Sequence, residues 1–164
     1  MMQEVSNNSD LLLFSSTLFP ASFRRVGLNH KAVVGIGGNV GDSVKIFERV
    51  VRYLQKSKLL HIIETAPLLK NPPFGFVNQP DFINSVIVIE TDLSPTALLK
   101  YLLWVEKRFG RVRLFKNGPR TLDFDIIFYD NLKIKTKRLT VPHPYFLNRE
   151  SVMIPMSFLK GFSL

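Results

Sequence analysis

Apolar positions along the chain change period several times, and each change marks an element. Ala32 to Ile36 is a short unbroken apolar run that stops at Gly37-Gly38-Asn39, the pattern of a buried strand entering a turn. Asp42 stands where a helix cap belongs. After it Phe47, Val50 and Leu54 recur at helical spacing, with Lys45, Glu48, Arg49 and Arg52 largely off that stripe. His61 to Leu69 predicts a second strand. Asn71-Pro72-Pro73-Phe74-Gly75 predicts a loop, because two prolines remove two ladder donors. Phe82 to Glu90, rich in Ile and Val, predicts another strand. Ser94-Pro95 predicts a helix start, with Ser as cap and Pro at the first helical position. Leu98, Leu102, Val105 and Phe109 form its buried stripe, and Gly110 stops it. Arg111 to Gly118 is a basic loop, Leu122 to Tyr129 a strand, and Asp130-Asn131 a turn. Val141-Pro142-His143-Pro144 is a stiff segment outside any ladder.

The resulting order is strand, helix, strand, strand, helix, strand. That is the split βαβ pattern of a ferredoxin-like α+β fold, an antiparallel sheet with helices packed on it. A length of 164 residues suggests one domain. Residues 1–30 form an extension, polar at Asn7-Asn8-Ser9-Asp10 and then apolar as far as Pro20, and the domain proper runs over 31–164. Leu11-Leu12-Leu13-Phe14 resembles the apolar part of a signal peptide, but Glu4 and Asp10 precede it and Arg24-Arg25 follow. No apolar run reaches the roughly 18 residues that span a bilayer. A cytoplasmic protein is expected, without membrane or nucleic-acid partner and monomeric.

Charge and composition narrow the chemistry. The chain holds 22 Lys+Arg against 13 Asp+Glu, a net charge of +9, which favours an anionic partner. Lys107, Arg108, Arg111, Arg113, Lys116 and Arg120 follow one another with no acidic residue between them, and Lys133, Lys135, Lys137 and Arg138 form a second group. There is no cysteine, so disulfides and thiolate metal sites are excluded.

Asp123 and Asp125 are the sharpest feature. Two apart on a strand, they face one way while Phe124 and Ile126 face the other. Two such carboxylates suit a hard divalent cation held jointly with substrate phosphates; a solvated face of an edge strand is the plainer explanation. Gly118-Pro119-Arg120-Thr121 leads directly into the pair, and Arg111 and Arg113 lie in the preceding loop. Guanidinium groups match phosphate oxygens, so cations beside an acidic pair make sense with a polyphosphate between them. A basic loop also suits a solvated or nucleic-acid-binding surface. Glu106, on the helix before the loop, can accept a hydrogen bond from a base or ribose, orient Arg111 or Arg113, or form a surface salt bridge. Phe82 and Asn84 share a strand face, an aromatic plate beside an amide, which suits a flat heterocycle. Asn71 and Phe74 can supply a second wall; a core Phe and a strand-end Asn are the alternative. His143, stiffened by two prolines, can donate to phosphate or serve structure alone.

The stretch Gly-Pro-Arg-Thr-Leu-Asp-Phe-Asp at 118–125 resembles the signature of the 6-hydroxymethyl-7,8-dihydropterin pyrophosphokinases. Ile36 to Asp42, Asn78 to Asn84, Glu106 through Arg113, and Leu139 to Pro144 with Arg149 agree with it in order and spacing. The resemblance covers roughly residues 31 to 156. It implies a ferredoxin-like fold with flexible catalytic loops, and transfer of the diphosphate of ATP to the pterin's hydroxymethyl oxygen with release of AMP, in folate synthesis. It implies two Mg²⁺ ions on Asp123 and Asp125. Arg111, Arg113, Arg120, His143 and Arg149 would contact ATP phosphates or order closed loops, with Arg111 and Arg120 counted as catalytic. Glu106, Arg138 and Thr140 would lie on the nucleotide, and Asn71, Phe74, Phe82 and Asn84 would line the pterin pocket.

The chain departs from that pattern in places. Ser151 falls where a second stacking aromatic is often found, with Phe146 or the loop around Phe74 as candidates to compensate. The loop between Arg113 and Gly118 is one residue short, with Asn117 where some members have Trp. The C-terminus is shorter and the N-terminus longer, so residues 1–30 are expected to pack where the longer C-terminal part would lie. A ferredoxin-like RNA-binding module is the main alternative. It lacks the expected RNP run here, and an acidic pair within a basic patch repels a nucleic-acid backbone. A regulatory nucleotide-binding domain is the third reading.

Overall fold

The computed structural model describes residues 3–4, 10–112 and 114–161. In chain order the elements are β1 (Gln3–Glu4), β2 (Leu12–Phe14), β3 (Ala21–Ser22), β4 (His30–Gly38), α1 (Ser43–Gln55), β5 (Leu60–Thr65), β6 (Leu68–Asn71) and β7 (Phe82–Thr91). They continue with α2 (Pro95–Arg108), β8 (Asp123–Tyr129), β9 (Ile134–Lys135), β10 (Thr140–Val141), a 3₁₀ turn (Phe146–Asn148) and α3 (Glu150–Met156). Four strands lie side by side as β8, β4, β7, β5, each pair antiparallel, and α1 and α2 make the crossovers. This is the ferredoxin-like arrangement that the element order predicts.

The helix starts follow from the capping residues. Asp42 accepts a hydrogen bond from the Lys45 amide, and Ser94 accepts one from the Ala97 amide. Gly110, at φ +88°, turns the chain out of α2. Two boundaries differ from the sequence pattern. The strand expected over 61–69 breaks between β5 and β6 at Ala66-Pro67, because proline cannot donate to a ladder. Both pieces still pair with β7, β5 along its C-terminal half and β6 along its first residues. Gly37 and Gly38, read as a turn, are the last two residues of β4. A Cβ on Gly38 would lie 2.5 Å from the Thr121 carbonyl oxygen, so only glycine lets β4 approach that segment. The segment at 141–144 begins on a short hairpin, β9–β10, that the pattern did not reveal.

The sheet is buried on both faces. Val34, Ile36, Ile87 and Ile89 join α1 and α2 in the larger core, while Val33, Val86, Val88 and Ile127 pack against the 3₁₀ turn and α3 on the other side. The described part of the extension belongs to this sheet. β2 pairs with β6 and β3 with β5, and Phe19 is fully buried. Two carboxylates fasten the arm: Glu48 accepts from the Ser16 hydroxyl and the Leu18 amide, and Glu90 from the Val26 and Gly27 amides. Among the described residues no helix is long and apolar enough to cross a membrane.

Candidate active site

On the α3 face of the sheet a cleft of about 920 Å³ opens over β8, β4 and β7. β8 ends the strand order and carries both acidic residues. Asp123 and Asp125 line the cleft, while Phe124 and Ile126 are buried in the opposite core. The alternation expected from two-residue spacing is the one found.

Asp123 is heavily compensated. Arg111 Nη1 donates to Asp123 Oδ1 at 2.8 Å, and Arg120 Nε lies 3.4 Å from Oδ2. The same Arg111 Nη1 donates to Glu106 Oε1 at 2.5 Å. Glu106 Oε2 accepts from the Phe124 amide at 2.9 Å, so the edge strand's N–H finds its partner on α2. Glu106 is 2% exposed, and both its oxygens are engaged, one by Arg111 and the other by the Phe124 amide. Glu106 orients Arg111, and the reason is its place one turn beyond Leu102 on the buried stripe of α2. Burial pushes its carboxyl up, and the Phe124 amide opposes that push.

Asp125 has weaker company. Its nearest basic groups are Arg149 Nη1 at 3.9 Å and His143 Nε2 at 4.0 Å. The side chain keeps 40% of its surface and lines the cleft. Poor hydration first, and the neighbouring Asp123 second, push its carboxyl up to about 6, against the pull of Arg149 and Arg120. Burial and Arg149 push the His143 imidazole down, toward the neutral ring.

A stability prediction follows. A carboxyl whose folded value exceeds its unfolded value of about 3.9 favours folding while protonated. The cost of the Asp125 charge is absent below about pH 4 and complete above about 6. Asp125→Asn is therefore expected to melt several degrees above the parent at pH 8 in chelator, the gap closing as pH falls to 4. Thermal denaturation across that range checks it; a gap independent of pH would assign the change to something other than charge.

The other end of the cleft carries the residues expected to face a flat ring. Phe82 and Asn84 on β7, Asn71 at the end of β6, and Phe74 in the proline-rich loop all line it. Asn84 Nδ2 donates to Asn71 Oδ1 at 2.7 Å. A Cβ on Gly37 would come within 2.3 Å of Asn84 Oδ1 and push that amide aside. Arginines cover the two rings: the Arg120 guanidinium carbon is 4.6 Å from the Phe82 centroid, and that of Arg149 is 5.5 Å from Phe74.

Asn39 ties these parts together. Its Oδ1 accepts from the Arg120 amide, and its Nδ2 donates to Gln79 Oε1 and the Pro80 carbonyl. Gln79 in turn donates to the Asn117 carbonyl, which joins the loops over the cleft. Asn117 sits at φ +60°, a conformation that Asn tolerates and a bulky Trp does not. The sequence pattern marked Asn39 only as part of a turn and Lys116 only as part of a basic run, and it did not single out the cleft-lining Phe115 and Asn148, because single polar or apolar residues within loops have no period. Phe146 does not compensate for Ser151. It packs at 4.9 Å on Phe128 in the core.

Asp123, Asp125, Arg111, Arg120, His143 and Arg149 thus share one cleft with Asn71, Phe74, Phe82 and Asn84. Arg138 and Thr140 do not line it. They belong to the β9–β10 hairpin region, which leads into the cleft only at His143. Arg113 lies outside the described residues.

Carboxylates bound to guanidinium groups at one end, and paired amides beside aromatic rings at the other, make this cleft the candidate active site. The sequence model of the 7,8-dihydro-6-hydroxymethylpterin-pyrophosphokinase family matches residues 33–161, and the chain belongs to that family. It is 34% identical over 148 residues to the 2-amino-4-hydroxy-6-hydroxymethyldihydropteridine pyrophosphokinase of Helicobacter pylori, covering 88% of this chain and 91% of that one. The Campylobacter jejuni protein of the same name is 37% identical over 145 residues, covering 88% and 92%. The mitochondrial folate synthesis bifunctional protein of Pisum sativum is 36% identical over 136 residues, which is 83% of this chain but 26% of that one.

Proposed function

We propose that the chain transfers the β,γ-diphosphate of ATP to the hydroxymethyl oxygen of 6-hydroxymethyl-7,8-dihydropterin, releasing AMP. One observation carries this reading: the acidic pair and Arg111, Arg120 and Arg149 share a single cleft with the Asn71–Asn84 amide pair and Phe82. The amides offer donors and acceptors to ring nitrogens, and Phe82 offers a stacking face once Arg120 turns toward phosphate.

The donor set fits Mg²⁺. Asp123 and Asp125 present hard oxygens on one strand face, and Asp125 bears a charge its neighbours compensate only at 3.9 Å and beyond. Asp123 and Asp125 would hold two Mg²⁺, which would supply charge stabilisation at the polyphosphate and a more acidic alcohol nucleophile. The arginines answer the charge gathering on the transferred group, and Asn39 fixes the backbone from which Arg120 projects. His143 and Arg149 stand on the Asp125 side of the cleft, where they would meet the triphosphate. Arg138 and Thr140 would meet the nucleotide where it extends beyond the cleft, and Arg113 is a further proposed ATP contact. Loops 71–79 and 111–118 close over the reactants and exclude water. We assign the protein to the cytoplasm as a monomer acting on small molecules, without nucleic acid.

The test is product formation. Purified protein with ATP, the pterin alcohol and Mg²⁺ is expected to give AMP and the pterin diphosphate in equal amounts, and omission of any one of the three should stop it. ADP in place of AMP would overturn the assignment.

A further inference from the structure

One wall of the cleft is explained neither by the chemistry above nor by the family match. Leu11 lines the cleft, yet it belongs to the N-terminal arm and precedes residue 33, where that match begins. It is 2% exposed and packs with Leu13 and Leu69, with Ile154 against the three. The adjoining residues, Leu12 to Phe14, pair with Leu68 to Lys70 of β6. The next residue of β6 is Asn71, which holds the Asn84 amide. Ser151, one helical turn before Ile154, also lines the cleft.

Strand order says which end of the cleft this is. From the arm the sheet runs β2, β6, β7, β4, β8. The ring-binding residues stand on β6 and β7, next to the arm. The carboxylates stand on β8, four strand spacings from β2, about 19 Å at about 4.8 Å each. Leu11 therefore borders the heterocycle and not the polyphosphate.

We infer that Leu11 is a wall of the heterocycle pocket and limits which ring substituents it admits, so that the N-terminal arm takes part in substrate choice. This rests on the pterin reading above. A leucine packed between Leu13, Leu69 and Ile154 has no room to retreat, so a ligand carbon pressed against it meets an overpacked wall. Truncation leaves space continuous with the cleft.

The test compares the full chain with Leu11→Ala and Leu13→Ala. Leu13 packs in the same cluster but does not line the cleft. Substrates are the parent pterin alcohol and analogues bearing one added methyl at different ring positions. In Leu11→Ala the kcat/KM ratio of analogue to parent is expected to rise about tenfold for at least one analogue, the scale of one methylene in an apolar pocket. The KM for ATP should stay put, and Leu13→Ala should leave the ratio within about twofold of the parent chain. If Leu11→Ala fails to fold, Leu11→Val should shift the ratio in the same direction by a smaller factor. An unchanged ratio for every analogue, or an equal rise in Leu13→Ala, overturns the wall while leaving the function intact. A parent chain that makes no AMP overturns both, because the wall is defined by that substrate.

Discussion

Asp125→Ala is expected to lose AMP formation by about a thousandfold or more while keeping the fold. The factor reflects several kcal/mol of charge stabilisation at about 1.4 kcal/mol per tenfold. The retained fold follows from the surroundings of Asp125, whose nearest basic groups, Arg149 and His143, stand 3.9 and 4.0 Å away and whose carboxyl is pushed up to about 6. Little native structure depends on that charge. Asp123→Ala should lose comparable activity but also stability, because it strips a partner from Arg111, which is only 12% exposed, and from Arg120. Measuring AMP release and melting temperature on both variants separates the two residues. Near-normal turnover in Asp125→Ala would remove the basis for placing a cation there.

Much of this site was legible because it is built on regular elements. Period two on β8 put both carboxylates on one side, and the same rule paired Phe82 with Asn84 on β7. Apolar periodicity likewise set the order of the sheet and helices, and with it the ferredoxin-like fold. What escaped depends on tertiary contact. The break between β5 and β6 lies at a proline that an apolar run concealed. Asn39 shows its importance only when the segments at 79–80 and 120 meet it. Leu11 looks like any leucine of a short apolar stretch until β2 is seen to pair with β6. Glu106 shows the limit most clearly. Helical spacing allowed it a surface or a partly buried place, and the choice was made by the edge of β8, whose Phe124 amide needed an acceptor.

That choice makes Glu106→Ala the most disruptive substitution expected outside the acidic pair. It leaves the Phe124 amide without its acceptor and takes one of two carboxylates from Arg111 Nη1. Breaking a buried ion pair on one side costs about 3–5 kcal/mol, or roughly 10 °C in melting temperature for a chain of this size. Activity should fall through kcat more than KM, because Arg111, held by Asp123 alone, loses the second anchor that fixes its angle over the polyphosphate. Glu106→Gln is the informative partner, since its amide oxygen can still accept from the Phe124 N–H while the charge facing Arg111 is gone. It should recover most of the melting temperature and little of kcat. Recovery of both by glutamine would make Glu106 a packing and hydrogen-bonding residue only, and the orientation of Arg111 would then rest on Asp123.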